Sequence, residues 1–377
     1  MDIQLTIPEL ILLAAFALTT LIQLTYYWFI FARLAFYKPL KRKISDELPP
    51  VSVVIAARNE YYNLRDNLPE ILEQDYPSFE VVVVNHASDD DTELLLKQLH
   101  NQYPHLKVVT IQQDLNFFKG KKFPLSIGIR EAQNDVLLLT DADCKPASRN
   151  WIKNIAGHYE SIKKQVVIGY GPYQKKKGLL NLMIRYDTFM VAMQYLSFAL
   201  MGKPYMGVGR NLSYRKSLFL QHKGFVSHYG LSSGDDDLFI GQVATKRNTE
   251  IELSADSFVY SAPKTSFADW WKQKKRHLST SKKYKPGIKF SLGLFGLSQL
   301  LFYLLFVLSL LAGIDLRIVL GIFLLRFLTQ LVVHKKITTL LHEGALCIFS
   351  LLWEVVYILI MPLLTIAGLF TKQSKWK

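Results

Sequence analysis

The sequence predicts an α/β domain with a mostly parallel, Rossmann-like sheet, flanked on both sides by transmembrane helices. Two observations carry this prediction. Long apolar segments lie near both ends of the 377-residue chain, and a helix needs roughly 20 mostly apolar residues to span a bilayer. Between them, short β-branched runs alternate with segments of helical periodicity, which is typical of a parallel sheet covered on both faces.

Three apolar segments are candidates for membrane spans. Leu10–Ala32 and Phe290–Ile314 contain no charged residue, and Ala345–Phe370 contains Glu354 alone. Buried core helices normally show a polar stripe, which these segments lack. The length of the first segment and the acidic residues before it do not fit a cleaved signal peptide. These segments therefore predict an integral membrane protein.

A fourth apolar segment, Leu316–Val333, is harder to place because it contains Arg317 and Arg326. An arginine inside a bilayer is unfavourable. If every C-terminal segment crossed, the last lysines would also lie outside, against the positive-inside rule. We therefore expect Leu316–Val333 to lie in the interface with both arginines toward the headgroups. A re-entrant last segment around Pro362 is the alternative. The lysines concerned are Lys372, Lys375 and Lys377.

Basic residues flank the central region next to both neighbouring spans. The positive-inside rule places this side in the cytosol. We predict an N-terminal transmembrane helix over residues 1–37, a cytosolic domain over 38–289, and a C-terminal membrane region over 290–377 with two or three transmembrane helices. A bacterial inner membrane fits this layout. The flanking residues are Lys38, Lys41, Arg42 and Lys43, and then Lys282, Lys283, Lys285 and Lys289.

Composition narrows the possible functions. Lys plus Arg is 45 and Asp plus Glu is 31, which gives a net charge of +14. Much of this charge lies beside the predicted spans and no recognition helix is evident, so anionic lipid is the expected partner and nucleic acid is not. The two cysteines, Cys144 and Cys347, exclude a disulfide framework and a four-cysteine zinc site.

The first half of the central domain predicts four strands in alternation with three helices. Polar residues cluster where the strands end, and ligands of such sheets bind at the carboxyl ends of the strands. The sequence contains neither glycine-rich phosphate-binding motif, so a dinucleotide site or a P-loop is not indicated. The predicted strands are Val51–Ala57, Phe79–Val84, Lys107–Ile111 and Asp135–Thr140, and the predicted helices are Asn63–Gln74, Thr92–Leu99 and Pro124–Ala132.

Asp141 and Asp143 give the strongest chemical signal because they follow the fourth apolar strand directly. Two carboxylates at a strand end can converge on one hard cation. Mg²⁺ or Mn²⁺ held in this way completes its coordination with water and phosphate oxygens, and neutralises charge on a leaving diphosphate. A solvated turn is the alternative, but the position after a buried strand favours a metal site.

Two further segments carry candidate functional groups. Asp235, Asp236 and Asp237 precede an apolar helix. They are either an N-terminal cap or contain a general base that deprotonates an acceptor hydroxyl. Trp270–His277 combines two tryptophans with basic residues. It fits an amphipathic interfacial segment, and its Gln273 and Arg276 could also hold an acceptor and a diphosphate.

These motifs resemble those of membrane-bound glycosyltransferases of family 2, and are similar to ceramide glucosyltransferases and to the synthases of cellulose, chitin and hyaluronan. Their order and intervals match over roughly residues 48 to 290. The resemblance implies a GT-A fold, a nucleotide-sugar donor, a divalent cation (Mg²⁺ or Mn²⁺), inversion at the sugar, and a lipid or glycan acceptor. The motifs are Val53–Glu60, Asp141-Ala142-Asp143, Gly234–Leu238 and Gln273–His277.

The resemblance also implies roles for individual residues. Asp143 would be the main metal ligand, Asp141 would contact metal or nucleotide, and Asp235 would be the catalytic base. Gln273 and Arg276 match the family's QxxRW motif. Gly207–Arg215 resembles the family's acceptor-side loop. The full set of implied substrate-binding residues is Arg58, Glu60, His86, Lys121, Asp141, Gln273, Arg276 and His277.

The chain departs from the family's pattern at three places. Asn85-His86-Ala87-Ser88 replaces the usual Asp-Asp-Gly-Ser, so the nucleotide-reading carboxylate is missing, although Asp89–Asp91 follow directly. Gly234 replaces a glutamate before the base. His277 replaces the tryptophan of QxxRW, which weakens stacking on the acceptor. The donor nucleotide and sugar therefore remain open.

Three functions stay in view. The expected one is transfer to a membrane lipid, because Trp270 and Trp271 suit the headgroup layer and lie just before the second span. Leu179–Met201 is either an interfacial helix beside the acceptor opening or a core helix. A processive polysaccharide synthase is the first alternative, and a non-catalytic membrane scaffold with a retained fold is the second.

Overall fold

The computed structural model of the chain describes residues 5–39, 48–112 and 120–369. The chain divides into two compact units. The helical unit comprises Met1–Tyr37 and Tyr284–Leu363, and the sheet unit comprises Lys38–Lys283 and Leu364–Lys377. The predicted flanking residues Lys41–Lys43 and the C-terminal lysines 372, 375 and 377 lie outside the described residues.

The sheet unit is built on a seven-stranded mixed sheet with the strand order β3-β2-β1-β4-β7-β6-β8. The first four strands in this order are parallel, whereas β7 pairs antiparallel with both β4 and β6. A separate two-stranded sheet joins β5 and β9. The strands are β1 (Val51–Ala57), β2 (Phe79–His86), β3 (Leu106–Ile111), β4 (Val136–Leu139), β5 (Cys144–Pro146), β6 (Val166–Gly169), β7 (Leu212–Arg215), β8 (Thr249–Glu252) and β9 (Val259–Ser261).

Helices cover both faces of this sheet and complete its core. Every residue of β1 is buried, as expected for a strand inside a parallel sheet. Leu64 and Leu68 on one helix and Leu96 on the next pack into the same apolar cluster. The first helix of the chain, α1 (Ile7–Ala35), belongs to the helical unit. The helices of the sheet unit are α2 (Tyr61–Leu72), α3 (Thr92–Gln102), α4 (Lys122–Glu131), α5 (Trp151–Ala156), α6 (Leu179–Leu200), α7 (Lys216–Gln221), α8 (Asp237–Val243) and α9 (Phe267–Leu278).

The predicted α/β alternation is confirmed for all four strands and all three helices, with boundaries shifted by a few residues. Helix α2 begins at Tyr61, because the backbone of Glu60 and Tyr61 is bonded to residues that follow β2. Short 3₁₀ turns complete the sheet unit at Gly157–Glu160, Val226–His228, Ala255–Ser257 and Ser279–Lys283.

Helix α6 is a core helix, which is one of the two alternatives predicted for Leu179–Met201, since 14 of its 22 residues are buried. One expectation for the sheet unit is wrong. Trp270 does not face the headgroups, because its side chain is 2% exposed and packs against Phe267 with a ring distance of 5.4 Å. Trp271 is half-buried. The aromatic residues before the second span therefore pack largely within the domain.

Within the described residues, the helical unit contains three helices that are long and apolar enough to span a membrane. The shorter apolar helix Leu352–Ala367 lies within a fourth helix. Phe16 packs against Phe302 at a ring distance of 5.3 Å, which joins the first two helices. The helices are α1 (Ile7–Ala35), α10 (Pro286–Leu311), α11 (Leu316–Leu340) and α12 (Ser350–Leu369), with a 3₁₀ turn at Gly344–Cys347.

The prediction that Arg326 faces the headgroups is wrong. Arg326 is fully buried inside the helical unit and forms an ion pair with Glu354 of α12, which is also fully buried. Gln330 donates a further hydrogen bond of 2.7 Å to Glu354. Because the charge is paired and hydrogen-bonded, it does not exclude α11 from a bilayer. Helix α11 is therefore one of the three candidate spans. Arg317 is exposed and pairs with Asp315.

Candidate active site

The candidate site lies where the parallel strands end. Ala57, the last residue of β1, pairs with Asn85 near the end of β2. Val54 of β1 pairs with Leu139, the last residue of β4. The segments that follow these strands carry Arg58–Glu60, His86–Asp91 and Asp141–Asp143. The sheet therefore brings the polar clusters predicted from the sequence to one edge.

Asp141 and Asp143 form the acidic end of the site. A carboxylate oxygen from each, together with the Cys144 sulfur, lie within 4.8 Å of one another. Ser261 of β9 donates a hydrogen bond of 3.1 Å to Asp143 and orients its carboxylate. Burial, reinforced by both aspartates, raises the pKa of the Cys144 thiol well above its ordinary value. The thiol therefore stays neutral, and the two carboxylates suit an oxygen-preferring cation such as Mg²⁺ or Mn²⁺.

Lys121 joins this acidic end to the candidate base. Its Nζ lies 2.8 Å from Oδ1 of Asp141 and 3.0 Å from Oδ2 of Asp235. Burial alone would raise the pKa of Asp141, but Lys121 lowers it below its ordinary value, with smaller effects of Arg210 and Arg276. Burial disfavours the Lys121 ammonium, yet the neighbouring aspartates raise its pKa well above the ordinary value. Lysine and aspartates therefore stabilise one another as ions.

The three adjacent aspartates have different partners. Asp236 is the N-terminal cap of α8, and it accepts 2.8 Å hydrogen bonds from the backbone of Asp237 and Gly209. Asp237 accepts hydrogen bonds from the Thr280 hydroxyl and from the Leu238 backbone. Asp235, 5% exposed, reaches Lys121 instead. The capping interpretation therefore holds for Asp236, whereas the role of Asp235 as the base stays a prediction.

Gly234 stands where the family has a glutamate, and its backbone gives the reason. Its φ is +107°, in a region that favours glycine. A Cβ at this position would lie 2.8 Å from Cδ1 of Leu238. The turn that directs Asp235 toward Lys121 therefore requires glycine here, and the departure from the family's pattern has a local structural cause.

Helix α9 carries the Gln273–His277 motif. Ser266 caps its first turn by accepting a 3.1 Å hydrogen bond from the Asp269 backbone. Gln273 donates to the Tyr173 hydroxyl at 3.3 Å. Arg276 lies near enough to Asp141 to lower the pKa of that carboxyl, although burial and Lys121 have larger effects on it. His277 is exposed. The structure thus links Gln273 and Arg276 to the site, and leaves the His277 side chain open to solvent.

The remaining predicted residues lie together at the ends of β1 and β2. The Asn59 backbone donates to the Ser88 hydroxyl at 3.0 Å, and the Asp89 backbone donates to the Asn59 amide oxygen at 2.8 Å. The two strand ends are thereby tied to each other. Asp90 accepts from the Tyr61 backbone, so this carboxylate stabilises the fold. The predicted residues in this neighbourhood are Arg58, Glu60 and His86, whose buried ring lies 6.1 Å from that of Phe123.

Sequence reasoning missed Arg210 and Lys122. The Arg210 guanidinium lies 4.3 Å from the centre of the Tyr173 ring and donates to the Gly171 carbonyl at 2.7 Å. It also lowers the pKa of Asp141, although burial and Lys121 have larger effects. It belongs to the Gly207–Arg215 loop, whose resemblance to the acceptor-side loop was a usable signal. Lys122 is buried at the start of α4. Its helical spacing from Leu125 and Ile129 places it on the buried face, which could have identified it.

Comparison with known proteins shows which domain family part of the chain matches. Residues 52–222 match the domain described as Glycosyl transferase family 2. Asp235 and the Gln273–His277 motif lie beyond the matched residues. In Bacillus subtilis, the protein named Probable glycosyltransferase YdaM is 32% identical over 153 residues, which is 40% of this chain and 36% of that protein.

A second relative is Beta-monoglucosyldiacylglycerol synthase of Synechocystis sp., which is 28% identical over 142 residues. That alignment covers 37% of this chain and 28% of the relative. The similar region therefore spans no more than 36% of either relative's length.

Among solved structures, the mannosyltransferase PcManGT from Pyrobaculum calidifontis, in complex with GDP-Man and Mn²⁺, superimposes with a TM-score of 0.59 at 21% identity. The superposition covers 93% of this chain and 98% of that chain. This similarity concerns the fold, and the predicted GT-A fold is confirmed. Residues 52–222 thus match the family 2 glycosyltransferase domain that the sequence predicts.

Proposed function

We propose that this protein transfers a sugar from a nucleotide-sugar donor to a hydroxyl group of a membrane acceptor, with inversion at the sugar and with the help of a divalent cation. One observation carries the proposal. The ammonium group of Lys121 lies within 3.0 Å of both Asp141 and Asp235, so it lies between the candidate metal ligand and the candidate base. Inverting transfer needs the metal ligand on the side of the reacting carbon where the diphosphate leaves. It needs the base on the opposite side, where the acceptor hydroxyl attacks.

Asp143 and Asp141 would hold the cation. Their oxygens are close enough to share an ion, and a carboxylate pair with room for water and phosphate oxygens is what Mg²⁺ and Mn²⁺ prefer. When bound, the ion would neutralise charge on the leaving diphosphate. The mannosyltransferase of similar fold contains Mn²⁺ and GDP-Man. The residues of this chain therefore fit the cation that the family resemblance implies.

Asp235 would act as the base in a single displacement. One of its carboxylate oxygens takes the proton of the acceptor hydroxyl as that oxygen bonds to the anomeric carbon. The bond from this carbon to the diphosphate breaks on the opposite face, and the nucleoside diphosphate leaves with the bonding electrons. Attack from the opposite face inverts the configuration. Lys121 and Arg276, close to Asp141, would hold the donor's phosphates in position.

The acceptor we propose is a lipid or a lipid-linked glycan at the cytosolic face of a bacterial inner membrane. The supporting feature is chain order. Helix α9 ends at Leu278 and the apolar helix α10 begins at Pro286, so only residues 278–285 separate the Gln273–His277 motif from a candidate span. The relative from Synechocystis sp. is named for a glycerolipid product. The basic residues beside the candidate spans favour a cytosolic position for residues 38–289.

The base is tested with Asp235→Asn in the purified full-length protein. The amide preserves shape but does not accept the proton, so transfer should fall by about 10²–10⁴-fold. Binding of the donor should persist. Asp236→Asn and Asp237→Asn are the matched variants, because each removes one carboxylate from the same cluster. An active Asp235→Asn beside an inactive Asp236→Asn or Asp237→Asn would contradict the assignment.

The acceptor is tested by supplying a panel of labelled nucleotide sugars with either extracted membrane lipids or soluble oligosaccharides. Label should enter a lipid fraction on thin-layer chromatography. Saturable transfer to the soluble acceptor, with none to any lipid, would defeat the lipid proposal. Long products from a single encounter would favour the processive polysaccharide synthase. Donor binding without any turnover would favour the non-catalytic scaffold.

A further inference from the structure

Lys122 is a buried lysine whose ammonium group is bound by the polypeptide backbone. Its side chain is 1% exposed, and its Nζ donates to the carbonyl oxygens of His228 at 2.8 Å and Ser233 at 2.6 Å. Lysine is almost never fully buried without a partner. Burial lowers the pKa of Lys122 to about 8, although the nearby aspartates oppose this shift. Such an unfavourable placement calls for a specific role.

The two carbonyls belong to the segment that leads to the candidate base. This segment, residues 228–234, ends one residue before Asp235. It follows the short 3₁₀ turn Val226–His228 and contains no α-helix or strand. The Leu231 backbone donates to His228 within it. Few backbone bonds fix its course, so side-chain contacts decide where Asp235 points.

Gly120 and Lys122, at the start of α4, contact this segment, and Lys121 between them contacts the residue that follows it, Asp235. Gly120 packs so closely that a Cβ there would lie 2.3 Å from the Ser232 carbonyl oxygen. Lys121 reaches Asp235, and Lys122 reaches both ends of the segment. These three residues thus contact the segment and Asp235 by backbone packing, by two hydrogen bonds and by an ion pair.

We propose that Lys122 is a positioning residue, which fixes residues 228–234 and so holds Asp235 in the orientation needed to accept a proton. The role rests on the proposed function of Asp235 as the base. Lys122 acts through the segment, whereas Lys121 is the lysine that we assign to the substrate. Without Lys122, both carbonyls lose its hydrogen bond, and the His228 carbonyl keeps the bond from the Leu231 backbone. The segment then moves more freely, and Asp235 spends less time in the reactive geometry. A misplacement of about 1 Å can reduce a rate by about 100-fold.

The chain contains a matched control at the other end of the same helix. Nζ of Lys216 also donates to two backbone carbonyls, those of Arg130 at 2.8 Å and Ala132 at 2.6 Å. These carbonyls lie at the end of α4, away from the segment that carries Asp235. Lys216→Met therefore removes the same kind of interaction without touching residues 228–234.

The experiment compares Lys122→Met with Lys216→Met in the full-length protein in lipid nanodiscs. Hydrogen exchange of peptides covering residues 226–236 is measured first, without donor. Turnover is then measured over a range of donor concentrations. Lys122→Met should speed exchange in this segment and lower kcat by about 10- to 100-fold, with the donor KM changed less than about twofold. Lys216→Met should do neither. Lys122→Gln, which retains an amide donor, should fall between wild type and Lys122→Met.

The results separate this inference from the proposed function. Wild-type kcat in Lys122→Met, or unchanged exchange in residues 226–236, would overturn the positioning role. Equal loss of kcat in Lys216→Met would assign the effect to general destabilisation of α4 and would overturn it as well. If Lys122→Met does not fold, Lys122→Gln decides by the same two measurements. If wild type transfers no sugar at all, the proposed function fails, while the exchange data still show whether Lys122 fixes the segment.

Discussion

The ammonium nitrogen of Lys121 lies 3.0 Å from Oδ2 of Asp235. This contact joins the turn before α4 to the turn before α8, two segments more than a hundred residues apart in the chain. The same nitrogen also contacts Asp141 at 2.8 Å. Because Asp235 is buried and Asp141 is only partly exposed, the lysine offsets charges that would otherwise repel each other. Lys121 is therefore the central cation of the site.

Replacing Lys121 with methionine should weaken donor binding. The variant removes the cation that we assign to the donor's phosphates, and a hydrogen bond to a charged group contributes about 1.5–3 kcal/mol. The dissociation constant of the nucleotide sugar should rise by about 10- to 100-fold, measured by calorimetry with Mg²⁺ or Mn²⁺ present. Lys145→Met is the control, because Lys145 is a half-exposed lysine paired with Glu70. Equal donor affinity in Lys121→Met and wild type would contradict the assignment.

Asp143→Ala should abolish transfer while the protein still folds and inserts. It removes one of the two carboxylates that face a shared position, and the donor's diphosphate would then lack the neutralising cation. Ser261→Ala is the graded comparison, since it removes only the 3.1 Å hydrogen bond to Asp143. It should reduce activity less and raise the Mn²⁺ concentration needed for half-maximal rate. Full activity of wild type in excess chelator would refute the metal requirement.

Much of the fold follows from local pattern. The runs Val51–Ala57 and Phe79–Val84 are apolar at every position except Ser52 and Glu80, which is typical of strands buried on both faces. Asp141 and Asp143 could be singled out because they follow such a strand directly. Their position at the sheet's edge is a consequence of parallel pairing, and the structure agrees with it.

What the sequence could not supply are contacts between distant segments. Arg326 looked unsuited to a membrane because its partner, Glu354, lies 28 residues away on another helix. Trp270 was expected at the headgroups, yet tertiary packing buries it. The family resemblance singled out Lys121, whereas Lys122 beside it was passed over. Only the fold shows that one reaches carboxylates and the other reaches backbone carbonyls.

The stability of the sheet unit should depend on pH through Asp236. Burial, together with Asp235 and Asp237, raises the pKa of Asp236 to about 7 from an ordinary 3.8. Between these values the folded protein holds a proton that the unfolded chain has lost, so the Asp236 contribution to stability falls as pH rises through this window. Relative to wild type, Asp236→Asn should therefore gain in melting temperature between about pH 5 and about pH 8.

The measurement is intrinsic fluorescence during heating, at both pH values, in one detergent. The absolute effect of the substitution also includes the altered hydrogen bonds to Gly209 and Asp237. The difference in melting temperature between Asp236→Asn and wild type is therefore compared at the two pH values. The change in this difference reports the titration of Asp236. Asp75→Asn, at an exposed position, controls for a general effect of removing a negative charge. A difference between Asp236→Asn and wild type that stays constant with pH would contradict the prediction.

Finally, Arg326 and Glu354 should be energetically coupled inside the helical unit. Both side chains are fully buried, and Nη1 of Arg326 donates to Oε2 of Glu354 at 3.0 Å. Gln23 also accepts a hydrogen bond from Arg326 at 3.1 Å.

Removing one partner of a buried pair leaves an uncompensated charge and costs about 3–5 kcal/mol. Arg326→Met and Glu354→Gln should therefore each lower the melting temperature in nanodiscs sharply. The double variant removes both charges, so it should lower the melting temperature much less than the sum of the two single effects. Arg317→Met, in the exposed pair with Asp315, should change little. Strictly additive effects of the two buried substitutions, or single effects no larger than that of Arg317→Met, would show that the pair does not hold α11 and α12 together.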